Sequence, residues 1–141
     1  MIDFQTTFLW TVLATANTTY AGRLFNQEPP EQDVSDPFII WTLEWMKDYD
    51  LAGNNSEYKL QVNVHAKNPI RNDALKTMLA NFLPQGKASN TYTLATNTTE
   101  NGTYYSASNV IFYVDSEWQG ITKERSEGDT IYTATWIIRQ Y

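Results

Sequence analysis

The sequence predicts a single α+β domain, an antiparallel sheet with two helices packed on one face. Three observations predict it. Two stretches carry apolar residues at helical spacing, several others alternate with period two, and the order runs helix, strands, helix, strands. A chain of 141 residues also matches one domain, typically about 100–200 residues.

Asp3 to Ala16 opens the chain as a helix, with Asp3 as N-cap and Phe4, Phe8, Val12 and Ala16 recurring at i+4. Asn17-Thr18-Thr19 is expected to end it. Arg23-Leu24-Phe25 is a short strand, stopped by Pro29-Pro30, since proline cannot donate to a ladder. An acidic linker runs to Asp36. Pro37 to Trp45 is then apolar on both strand faces, which calls for a central or doubly covered position. Asp50-Leu51-Ala52-Gly53-Asn54-Asn55 is a turn cluster. From Tyr58 to Ala66, Tyr58, Leu60, Val62, Val64 and Ala66 alternate with Lys59, Gln61, Asn63 and His65, a half-buried strand pairing back antiparallel through a long hairpin.

Asn68-Pro69 reads as the cap and first residue of a second helix, carrying Ile70, Ala74, Leu75, Met78, Leu79 and Phe82 and closed by Leu83-Pro84-Gln85-Gly86. Residues 87–109 are rich in Ser, Asn and Thr and read as a weak strand or an extended arm. Val110 to Val114 is a strand, Glu117-Trp118-Gln119-Gly120 a turn, and Asp129 to Tyr141 a last alternating strand.

Composition narrows the function. The chain has no Cys, which excludes disulfides and thiolate chemistry. Net charge is −6, and between Glu28 and Glu57 eight acids face one base, Lys47. An acidic domain lacks the electrostatic footprint of a nucleic-acid binder. That stretch is either ordinary solvated loop or a surface that must not adhere to passing DNA. No run is long enough to span a membrane, and Met1-Ile2-Asp3 lacks the positive start of a secretory signal. The Asn-x-Ser/Thr matches at Asn17, Asn54, Asn97 and Asn101 are therefore read as by-products of Asn/Thr-rich loops.

Chemistry-bearing patterns are sparse. His65 is the sole histidine, and no Gly-x-Ser-x-Gly elbow accompanies it. One histidine is a poor basis for a metal site, and a structural or surface role is the plain reading. Asp115 and Glu117 could share a strand face as a carboxylate pair, a common and uninformative spacing. No catalytic residue, metal or cofactor is expected. Fourteen per cent of residues are aromatic. Trp45, Tyr104, Tyr105 and Tyr113 are also distinctive; Trp41 and Trp136 read as core, whereas Trp118 in a turn reads as a candidate interface anchor.

One combination of segments carries a resemblance. Gly22-Arg23-Leu24-Phe25, Pro29-Pro30, Asp36-Pro37-Phe38-Ile39-Ile40-Trp41, Leu51-Ala52-Gly53, the strand Lys59 to Ala66 and the helix end Leu79-Ala80-Asn81-Phe82-Leu83 resemble the tail terminator (tail completion, tail-to-head joining) proteins of long-tailed bacteriophages. Asn63 stands where that family usually has an acid, and His65 where it has an aromatic. The likeness covers about Gly22 to Leu83 and the N-terminal helix. It is looser from Lys87, where residues 87–109 look like an insertion. These motifs are structural and degenerate.

The resemblance implies a non-enzymatic virion subunit in a ring, a hexamer in that family. The ring caps the tail tube, stops its polymerisation and joins a head connector or stopper protein. DNA passes through without specific binding, and the location is the tail–neck region of a particle assembled in the host cytoplasm. Ring or tube contacts are expected at Trp45, Asp48, Tyr49, Leu51, Tyr104, Tyr105 and Trp118, with Glu28, Glu31, Asp33 and Asp36 facing lumen or solvent. Another neck, head-completion or tail-tube-like ring subunit is the nearest alternative. A small hydrolase or a carbohydrate-binding module using Trp118, Tyr104 and Tyr105 is the alternative from a different class.

Overall fold

The computed structural model describes residues 11–29, 36–49, 55–93, 98–100, 103–105 and 111–141. In chain order these form α1 (Ala14–Thr19), β1 (Leu24–Asn26), β2 (Phe38–Asp48), β3 (Ser56–Ala66), α2 (Asn72–Ala80), β4 (Lys87–Thr93), β5 (Thr98–Glu100), β6 (Thr103–Tyr105), β7 (Ile111–Ser126) and β8 (Asp129–Gln140). Six strands make one sheet in the order β1-β2-β3-β8-β7-β4, and β5 and β6 pair separately. The architecture is α+β and mostly strand.

The sheet is antiparallel except at one edge. β1 runs parallel to β2, Leu24 beside Ile39 and Asn26 beside Trp41. This corrects the expectation of a wholly antiparallel sheet. Parallel neighbours need a crossover, and the Pro-containing connection from Gln27 to Pro37 supplies its length.

β3 and β8 are the centre. Every second residue of β3 from Ser56 to Ala66 is buried, and β8 repeats the pattern from Thr130 to Ile138. Pairing sets Leu60 beside Trp136 and Val62 beside Ala134. These side chains form one buried cluster with Ile39 and Trp41 of β2, Ala16 and Tyr20 at α1, and Leu75, Leu79, Phe82 and Leu83 at α2. Trp136 is fully buried, and its indole Nε1 donates to Pro84 O at 2.9 Å. The alternate residues of the strands form the other face, called here the ladder face.

Four local expectations change. Residues 3–10 of the first helix lie outside the described residues; α1 begins at Ala14, with Leu13 as a non-helical N-cap, rather than running unbroken to Ala16, and it ends at Thr19, in the Asn17-Thr18-Thr19 run expected to stop it. Tertiary contacts fix the residue that follows. Tyr20 stacks on Phe82 with ring centroids 5.7 Å apart, and its hydroxyl donates to Met78 O at 3.1 Å. α2 starts at Asn72, not after Asn68. Its N-cap is Arg71, in extended backbone, and the Ile70 N–H donates to the Tyr132 hydroxyl at 2.9 Å, which ties the approach to β8.

Glu117 to Gly120 is not a turn. It lies within the sixteen-residue β7, as a bulge between Trp118 and Gly120, with Gly120 at φ +116°. The turn comes later, at Glu127-Gly128, where both residues have positive φ (50° and 87°). That geometry matches the right-handed twist of a two-residue hairpin. The 87–109 stretch is partly sheet: β4 pairs with β7 from Lys87–Glu117 to Thr93–Ile111.

Candidate interaction surface

The ladder face is built in cross-strand rows. At the end nearest the β2–β3 hairpin, Lys47, Glu57, Arg139, Asp115 and Ser89 stand side by side on five successive strands. The next row is Glu44, Lys59, Ile137, Glu117 and Lys87. Each charged side chain in these rows has an opposite charge beside it, with uncharged Ile137 between the two pairs of the second row. Further along come uncharged Thr42, Gln61 and Thr135, then Ile40, Asn63, Thr133 and Thr122. The far end is aromatic: Phe38 packs edge-on to Phe25 and stacks on His65 with centroids 4.7 Å apart.

Arg139 is the hub of the charged end. Its Nε lies 3.2 Å from Glu57 Oε1 and its Nη1 3.3 Å from Glu117 Oε2. The Tyr49 hydroxyl donates to Glu57 at 2.8 Å and accepts from Arg139 at 3.3 Å. The bond to Tyr49, aided by Glu117, raises the guanidinium pKa further, so Arg139 is always charged. Asp115 accepts from Ser89 Oγ at 2.6 Å. The Tyr141 hydroxyl also bonds Asp115, which together with burial pushes the phenol pKa up. A polar hollow of about 220 Å³ lies between Lys87, Ser89, Asp115, Glu117 and Arg139.

This accounts for the carboxylate pair suspected in the sequence. Asp115 and Glu117 do share a face, but each is occupied, one by Ser89 and Tyr141, the other by Arg139. His65 lies on the ladder face as expected. Its half-buried ring has a lowered pKa because burial disfavours the cation, against an opposing pull from Asp129. Among the described residues, no group of three or more His, Cys, Asp or Glu is placed to hold a metal, and no helix is long and apolar enough to cross a membrane.

Around the charged end lie exposed apolar side chains: Trp45, Met46, Tyr49, Tyr113 and Tyr141. Trp45 is 53% exposed, and its Nε1 donates to Asp48 Oδ1 at 2.9 Å. Ser56 Oγ reaches the same oxygen at 2.6 Å, and these two bonds, Ser56 first, hold the Asp48 carboxyl below its ordinary range. A local bulge between Trp45 and Lys47 turns this strand end.

Of the residues singled out in the sequence, Trp45, Asp48 and Tyr49 therefore gather at one end of the sheet. Leu51, Glu31 and Asp33 lie outside the described residues, as do the side chains of Tyr104 and Tyr105. Glu28 is exposed, and exposed Asp36 accepts the Lys67 N–H at 3.0 Å. Trp118 is not the protruding anchor expected of a turn residue. It is half-buried and packs edge-on to Trp136, centroids 4.9 Å apart. The carbohydrate-binding alternative loses its main aromatic by the same contact.

Sequence reasoning missed Arg139, Tyr141 and Met46. Arg139 had a signal: it follows the alternating run of β8, two positions beyond Ile137, and so had to project onto the polar face.

No family model and no curated protein matches the chain. The likeness to tail terminators thus rests on the sequence residues quoted above alone.

Proposed function

We propose that this chain is a structural subunit of a long-tailed phage, forming a ring that caps the tail tube, ends its polymerisation and joins it to the head. Both helices pack on the core face of the sheet in this reading, which leaves the ladder face and the hairpin end for partners. The observation that carries the proposal is the exposed set of Trp45, Met46, Tyr49, Tyr113 and Tyr141 around a lattice of paired charges. Aromatic residues and Met in such a setting are typical of protein-binding surfaces. The charges there are already balanced within the chain, so they favour register and partner choice more than adhesion. The surface works by shape: one side matches the terminal tube ring, and the other does not offer the tube's self-complementary face. No bond-making step is involved.

Tail assembly tests this. Without the protein, tails should grow over-long and fail to join heads, and purified protein added to open tubes should block further growth. Deleting the tip from Asp48 to Asn55 should abolish capping while circular dichroism still reports a folded sheet. Normal tail length in the absence of the protein would refute the proposal, as would heads that leak DNA on tails of normal length.

A further inference from the structure

The two outer flanks of the sheet carry a matching knob and hole. On one flank, β1 covers β2 only from Ile39 to Trp41. Beyond that, Trp45 stands opposite Tyr58 of the buried cluster, so its ring projects on the core face. The exposed carboxylate of Asp48 stands beside it, accepting the indole N–H at 2.9 Å. On the other flank, β4 covers β7 only as far as Glu117. Beyond that, among the described residues, β7 pairs with β8 alone.

Beside this second flank lies a cavity of about 390 Å³, walled by Leu75 and Leu79 of α2 and by Trp118 and Ile121 of β7. Its lining is mainly apolar, and Lys76 stands on the rim. Ile121 is 41% exposed there, and exposed Lys123 follows on the same face of β7. The hole is on the core face too.

We infer that Trp45 of one copy seats in the Leu75–Leu79–Trp118–Ile121 cavity of a second copy, extending the sheet head to tail. Three features select a second copy as the occupant. Strand addition keeps faces aligned, so a core-face knob meets a core-face hole. β2 and β7 run in opposite senses within the sheet, so β7 of one copy meets β2 of the next as an antiparallel pair. The charges are opposite, with Asp48 beside the knob and Lys76 and Lys123 beside the hole. Knob and hole are different surfaces, so the contact is heterologous, and such contacts close into rings when the rotation permits. The inference rests on the ring reading for that closure alone.

The chain's lack of cysteine makes the test direct. With Trp45 beside Ile121, antiparallel pairing sets Glu44 against Thr122, both on the ladder face, so Glu44→Cys and Thr122→Cys join the two copies without removing knob or hole. Within one molecule they sit three strand steps apart, about 14 Å at the usual strand spacing, beyond disulfide reach. Under mild oxidation the double variant should give a covalent ladder of trimers and larger species, while each single variant gives dimers at most. Trp45→Ala and Lys76→Glu should each weaken self-association at least tenfold by light scattering, with the circular dichroism spectrum unchanged. A wild-type monomer at high protein concentration would overturn the inference. So would cross-linking by Glu44→Cys alone as efficient as that of the double variant, or unchanged association of Trp45→Ala. If Trp45→Ala still self-associates but no longer binds tubes, the occupant of the knob's partner site is the tube protein instead. A ladder without tube capping would leave this contact standing and remove the terminator reading; capping without a ladder would do the reverse.

Discussion

Burial and hydrogen bonding of single side chains set the first predictions. Thr130 is fully buried at the start of β8, and its hydroxyl has no hydrogen-bond partner among the protein's described groups. A buried hydroxyl without a partner carries an uncompensated desolvation cost. Thr130→Val keeps the shape and the β-branch, so it should raise stability by about 1 kcal/mol, read from the urea midpoint. A loss would mean that the hydroxyl is bonded. His65 gives a pH dependence with a definite sign. Its folded pKa is lowered by burial from the ordinary 6.5, while Phe38 covers the ring and Asp129 and Glu124 lie on the same side. The unfolded chain therefore binds more protons just below pH 6.5, and stability rises with pH there. The His65 contribution is complete above about pH 6.5 and is lost as pH falls through the lowered folded value. No other side chain type in the protein ordinarily titrates in this window, so His65→Gln should flatten that limb of the stability curve. A slope that survives in the variant would refute the assignment.

At the scale of elements, what the sequence revealed and what it concealed divide along a physical line. β3 and β8 were legible because each buries one face, and a period of two then appears in the residues themselves. Tyr58 to Ala66 needed no tertiary information. The start of α2 did not show, because Asn68-Pro69 is a good local helix signal, whereas the approach is tied to β8 by a bond from Ile70 to Tyr132, sixty-two positions away. The parallel pairing of β1 was hidden for the same reason. The bulge at Gly120 misled differently: glycine beside a polar residue marks turns and bulges alike, and only the packing of Trp118 on Trp136 decides between them. Of the surface, the hairpin residues Trp45, Asp48 and Tyr49 were readable as a cluster. The Glu57–Arg139–Glu117 link was not, because cross-strand register is invisible before pairing is known. The bulge yields a prediction of its own. A Cβ on Gly120 would meet nothing within 4 Å, so the only penalty of Gly120→Ala is a side chain at φ +116°. That strain is worth about 1–3 kcal/mol. Gly86 also has open space where a methyl group would go, but no positive φ, so Gly86→Ala should be neutral or slightly stabilising. Equal effects of the two substitutions in urea unfolding would show that the bulge imposes no backbone demand.

For the whole molecule, the balance of charge bears most directly on a conduit for DNA. The chain carries −6, and the strongest cation of the ladder face, Arg139, is held between Glu57 and Glu117. Lys47 likewise lies 4.0 Å from Glu57. Phosphate binding needs lysines and arginines free to displace condensed counterions, and it declares itself by a steep loss of affinity with salt. On the ladder face Lys47 and Arg139 are held by Glu57 and Glu117, so a duplex finds no net attraction and no row of open cations on that face. The purified protein should leave duplex DNA unshifted in a gel at about 50 mM salt, where non-specific electrostatic binding is strongly favoured over physiological salt. Releasing Arg139 by Glu57→Gln with Glu117→Gln removes two negative charges and unpairs the cation. That variant should bind DNA measurably, with an affinity that falls as salt is raised. Salt-sensitive binding by the wild-type protein would mean that DNA is gripped, and a ring built to let DNA slide could not be made from it.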